Sequence, residues 1–89
     1  MLSESDKAVI IRYAKKYHAD TIYLFGSSLN ADTHARDIDL GVKGIDPKLF
    51  FKFYGELMRN LTKPVDLVDL SQKTLFNALV EKRGAKIYG

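Results

Sequence analysis

The segment Leu24-Phe25-Gly26-Ser27, followed after nine intervening residues by Asp37-Ile38-Asp39-Leu40, decides how this chain is read. It sets a glycine-serine turn upstream of two carboxylates at strand spacing. If residues 37–42 are extended, successive side chains alternate faces: Asp37 and Asp39 point one way, about 6.7 Å apart, and Ile38, Leu40 and Val42 point the other. Two like charges on one strand face repel, and a divalent cation is the usual reason for keeping them together. Hard Mg²⁺ takes carboxylate and phosphate oxygens, commonly from one or two protein carboxylates plus the phosphates of a substrate. The pattern suits Mg-nucleotide chemistry.

Outward from this segment, helix-like and strand-like stretches alternate. Upstream, Ser3 or Ser5 can cap a helix with the apolar stripe Val9, Ile10, Tyr13, Ala14 and Tyr17, running to about His18. Thr21 to Phe25 is a β-branched and aromatic strand that Gly26-Ser27 ends. Asn30 to Arg36 reads as a loop or short helix before the strand Asp37 to Val42, and Gly44 supplies the next break. Pro47 suits the first turn of a second helix with a broad stripe of Leu49, Phe50, Phe53, Tyr54, Leu57, Met58 and Leu61. Pro64 opens a third strand, Val65 to Leu70. Ser71 can cap a last helix with Leu75, Phe76, Leu79 and Val80 on one face, ending at Gly84, and Ala85 to Tyr88 can add a short strand. This order predicts an α/β (α+β) fold, a small mixed sheet covered on one face by helices.

Composition bounds the function. At 89 residues the chain is expected to be one domain, residues 1–89, burying roughly 60–65% of its unfolded surface. There is no cysteine, which excludes a disulfide framework, a cysteine zinc site and thiol catalysis. No apolar run approaches membrane-spanning length, and Glu4 and Asp6 stand where a targeting segment would be basic, so a soluble cytoplasmic protein is expected. A net charge of +3 is spread over every segment without an aromatic RNA-binding motif, which makes nucleic acid an unfavoured partner.

The open sheet face gives a third carboxylate its interest. In Val65-Asp66-Leu67-Val68-Asp69-Leu70, Asp66 would lie within about 5–7 Å of the first pair if its strand neighbours theirs. Three such groups can hold two metal ions about 3.5–4 Å apart. Asp69, at odd offset, suits an end-of-strand or capping position. His18 and His34 share no ligand spacing, and His18 suits a helix C-terminus. Phe51 points away from its helix's stripe and, with Tyr88 and the terminal segment, is a candidate partner surface.

Gly-Ser, then Asp-x-Asp on the next strand, then a later strand Asp resembles the nucleotidyltransferases of the DNA polymerase β superfamily, in particular the minimal nucleotidyltransferases. The likeness runs from Leu24-Phe25-Gly26-Ser27-Ser28 through Arg36-Asp37-Ile38-Asp39-Leu40 and Val65-Asp66-Leu67 to Gly84-Ala85-Lys86-Ile87-Tyr88. It implies a polymerase-β-like fold in which Gly26, Ser27 and Ser28 meet the triphosphate. Asp37 and Asp39 would hold two Mg²⁺ (or Mn²⁺) ions, and Asp66 would complete one metal site and orient or deprotonate the attacking hydroxyl. Family members often carry an Arg or second Gly soon after Gly-Ser and a Ser before the first Asp. Here Ser28-Leu29-Asn30-Ala31 and Arg36 stand in those places, and Arg36 is a candidate phosphate contact or a counter-charge to the carboxylates.

The resemblance further implies a partner. Many minimal nucleotidyltransferases pair with a four-helix HEPN toxin and act as its antitoxin, transferring AMP from ATP to a tyrosine of that toxin. Two other functions compete with this one: a binding-only antitoxin that occludes its partner, and a small RNA-binding module.

Overall fold

The computed structural model describes residues 2–26 and 36–89. Its elements run α1 (Glu4–Lys16), β1 (Thr21–Phe25), β2 (Ile38–Lys43), α2 (Pro47–Asn60), β3 (Val65–Asp69), α3 (Leu75–Arg83) and β4 (Ala85–Tyr88). Asn30 and its neighbours up to Ala35 lie outside the described residues, as do Ser27, Ser28 and His34.

The strands form one mixed sheet in the order β3-β2-β1-β4. β1 pairs antiparallel with both β2 and β4, and β2 pairs parallel with β3, the connection through α2 being the crossover that a parallel pair requires. Strand alternation divides the side chains between two faces. Ile22 and Leu24 of β1, Ile38, Leu40 and Val42 of β2, and Val65 and Leu67 of β3 are buried together with Ile10, Tyr13 and Ala14 of α1 and Phe53 and Leu57 of α2. Each fully buried side chain of this kind contributes about 1.5–3 kcal/mol. Tyr54 adds a hydrogen bond from its hydroxyl to the Val65 carbonyl at 3.0 Å, tying α2 to β3.

The helix ends follow local chemistry. Ser3 caps α1 by accepting from the Asp6 N–H. α1 stops at Lys16, short of the expected His18, because His18 takes a left-handed backbone, φ 58°, while its N–H and that of Ala19 donate to the Lys15 and Ala14 carbonyls. Asp6 is itself buried and accepts from both the N–H and the hydroxyl of Thr62, at 3.1 and 2.6 Å, fastening the first turn of α1 to the segment after α2. Asp46 caps α2 ahead of Pro47.

Two expectations are corrected. Met58 belongs to the α2 stripe by spacing but is 63% exposed, because Phe53 and Leu57 fill the contact with the sheet. Thr74, not Ser71, caps α3, since Asp69 closes a turn by accepting from the Ser71 N–H at 2.9 Å and the helix starts one turn later. Tyr88 is half-buried against the core, while Phe51 is 79% exposed.

α1 and α2 supply the cover over the core face, and α3 lies against the other face. Lys43, which alternates with the buried Val42, pairs with Glu81 of α3 at 2.6 Å. The Phe25 ring meets Phe76 edge to face at 5.7 Å. The Leu70 side chain fills the place a Cβ on Gly41 would need. α3 therefore roofs one part of the face that also carries the odd-numbered residues of β2.

Candidate functional site

The site forms where β1 ends beside the middle of the sheet. Phe25, the last residue of β1, is the register partner of Asp39, and Gly26 follows it with φ 69°, a left-handed conformation that glycine adopts without steric cost. A Cβ built on Gly26 would stand 2.5 Å from Asp39 Oδ2. The turn backbone is thus pressed against the carboxylate with nothing between them.

Across the parallel pair, Asp39 is in register with Asp66. Parallel neighbours in register share a face at about 4.8 Å backbone separation, so the expected third carboxylate is brought beside the first two. Asp37 immediately precedes β2, two residues from Asp39, and is exposed, as is Arg36 before it. The β2 strand thus begins one residue later than the sequence predicts. Asp66 is exposed while Asp39 is half-buried.

The electrostatics report the same crowding. Burial first, then the Asp66 carboxylate, then Asp37, hold the Asp39 carboxyl above its ordinary value. Three acidic side chains raise the cost of ionising the middle one, which is the condition a cation relieves. The donor set is all oxygen and anionic, which fits Mg²⁺ or Mn²⁺ and not a soft metal. Among the described residues no three acidic or imidazole groups close into a finished metal cage, so the remaining ligands of an ion here would be phosphate or solvent oxygens.

A cleft of about 200 Å³ adjoins Gly26, walled by Phe25, Phe76, Leu79, Val80 and Arg83. These residues were not among the sequence candidates. The α3 spacing reads as an ordinary packing stripe, whereas Asn77 and Val80 are the residues α3 buries, and Leu75, Phe76 and Leu79 are 79%, 52% and 41% exposed. Asn77 takes its inward place because its amide donates to the Gln72 and Asp69 carbonyls at 2.7 and 3.3 Å, closing the loop before the helix.

Residues 8–89 match the family model described as Polymerase beta, Nucleotidyltransferase. No curated protein matches the chain. Among solved structures, the chain is similar to a toxin-antitoxin crystal structure with AMP-PNP, at 27% identity and a TM-score of 0.75 over 93% of this chain and 73% of that one. It is also similar to a structure of a tri-AMPylated Shewanella oneidensis HEPN toxin in complex with MNT antitoxin, at 28% identity and a TM-score of 0.70 over 94% of this chain and 70% of that one. The MntA-HepT toxin-antitoxin structure, at 24% identity and a TM-score of 0.72 over 98% and 73%, shares the fold.

Proposed function

Because the chain belongs to the polymerase β nucleotidyltransferase family, we propose that residues 1–89 form a single minimal nucleotidyltransferase domain that transfers AMP from Mg-ATP to a tyrosine hydroxyl of a HEPN toxin, and so acts as its antitoxin. The observation that carries this reading is the register of Asp39 with Asp66 across β2 and β3, with Gly26 pressed against Asp39 at the end of β1. The likeness to complexes of a HEPN toxin with an MNT antitoxin, one of them AMPylated, supports the choice of partner and of transferred group.

In this reading Asp37 and Asp39 hold the divalent ions, with Asp66 completing one site. Bound Mg²⁺ would neutralise charge on the phosphates and on the attacking and leaving oxygens. The Gly26 backbone, with Ser27 and Ser28 after it, supplies close, neutral donors to the triphosphate, because glycine lets the phosphates approach. Arg36 is the cationic candidate for a phosphate contact. Asp66 orients the acceptor hydroxyl and takes its proton as the oxygen attacks the α-phosphorus. The new O–P bond forms as the bond to the β-phosphate bridge breaks, and pyrophosphate leaves. In this reading the acceptor hydroxyl is carried by the HEPN partner, as the likeness to HEPN–MNT complexes supports.

The test is intact-mass spectrometry of a HEPN partner after incubation with this chain, Mg²⁺ and ATP. Mass gains in whole AMP units with the wild type, absent with the Asp37→Asn/Asp39→Asn double variant, are expected. An unmodified partner that nevertheless co-purifies with both proteins would replace transfer with occlusion.

A further inference from the structure

The transfer step gives no role to the cleft beside Gly26, although half-exposed aromatic and aliphatic side chains line it. Phe76 and Leu79 remain 52% and 41% exposed in a helix whose inward positions are already taken by Asn77 and Val80. They flank Phe25, whose edge-to-face contact with Phe76 at 5.7 Å fixes the two rings relative to each other. Among the described residues of the lining, Arg83 is the charged one. The cleft includes Gly26 itself, so it is continuous with the backbone that faces Asp39.

A triphosphate donor has one end at the carboxylates and phosphate-facing turn, and its nucleoside must leave that point in some direction. The cleft is apolar, has an aromatic ring half open to solvent, and carries a guanidinium, the combination on which a flat heteroaromatic base stacks. We propose that this cleft, formed by Phe76, Leu79 and Arg83 of α3 with Phe25 of β1, binds the nucleobase of the donor nucleotide, with the Phe76 ring as its stacking platform. The assignment rests on the nucleotidyltransferase reading above. It makes α3 a substrate-binding element, and it accounts for the exposure of Phe76 and Leu79.

The experiment compares calorimetric binding of ATP and of inorganic tripolyphosphate, each with Mg²⁺, to wild type, Phe76→Ala and Phe76→Trp, with circular dichroism confirming the folded state. Loss of one stacking contact raises the Kd for ATP in Phe76→Ala about 5- to 150-fold. Tripolyphosphate, which has no base, binds all three proteins alike, and Phe76→Trp retains ATP affinity because its ring still stacks. Unchanged ATP affinity in Phe76→Ala, or equal loss of both ligands without rescue by Trp, overturns the assignment and leaves the transferase reading standing. Loss of partner co-purification with ATP binding intact also overturns it, and assigns the cleft to a protein contact. A wild type that binds neither ligand refutes the transferase reading and this inference with it.

Discussion

Gly26, just past the end of β1, touches Asp39 of β2: a methyl group added to the glycine would stand 2.5 Å from the carboxylate oxygen of the aspartate. The turn that is expected to receive phosphates and the side chain expected to hold their counter-ion are therefore one structural unit. Moving either displaces the other.

Gly26→Ala carries two penalties. An L-residue at φ 69° costs about 1–2 kcal/mol, and the new Cβ displaces the Asp39 carboxylate from its place beside the turn. Thermal unfolding of the variant should show a lowered Tm, and its affinity for Mg-ATP should fall more than tenfold. A variant with wild-type affinity would show that the close approach is incidental.

The acidic cluster sets a pH dependence. Burial, Asp66 and Asp37 raise the Asp39 carboxyl above its ordinary 3.8, so the folded state holds that proton more tightly than the unfolded chain does. The stability from this group is fully present below 3.8 and is lost as pH rises through the raised folded value. Asp39→Asn removes the charge, so urea midpoints measured without metal should fall less between pH 4 and pH 7 than in the wild type. Added Mg²⁺ should raise the wild-type midpoint at pH 7 and leave the variant's where it was. A steeper fall in the variant would contradict the assigned cause.

Asp6 is a structural carboxylate, not a functional one. It is 3% exposed and its two hydrogen bonds to Thr62 join α1 to the end of α2. Asp6→Ala should cost about 1–3 kcal/mol in chemical denaturation, with ATP affinity unaltered in the folded fraction. A neutral effect on stability would mean that solvent replaces both bonds.

His18 holds a backbone conformation that suits glycine. With φ 58° and exposed, it ends α1 through the hydrogen bonds of Ala19 and itself. His18→Gly should stabilise the protein by about 0.5–1 kcal/mol, while His18→Val should destabilise it by a similar amount. Equal midpoints for the two variants would show that the turn relaxes around either residue.

Most of the architecture was legible because periodicity and turn chemistry agree. Thr21–Phe25 appears with the bounds its β-branched and aromatic run suggests, Pro47 starts α2 where its fixed backbone suits the first turn, and Gly84 ends α3 in an extended conformation where a Cβ would meet the Val80 carbonyl. The nearness of Asp66 to Asp39 was legible only conditionally, since it depends on β3 lying parallel beside β2, a long-range pairing that no local pattern encodes. α3 was the harder element. Its apolar spacing resembles core packing, and only the burial of polar Asn77 by two loop carbonyls explains why Phe76 and Leu79 stay outside. Met58 was misjudged for a related reason: a stripe wider than the sheet contact leaves its margin in solvent.

The measurement closest to the central claim, that Asp37, Asp39 and Asp66 form one metal-nucleotide site, is an electron paramagnetic resonance titration of Mn²⁺ into the protein with a non-hydrolysable ATP analogue. Two Mn²⁺ are expected to bind per chain in the wild type, with a drop to one in Asp66→Asn and loss of both in Asp37→Asn/Asp39→Asn. Equal Mn²⁺ binding by wild type and double variant would contradict that claim, and would reduce the three carboxylates to a surface cluster on an inherited fold.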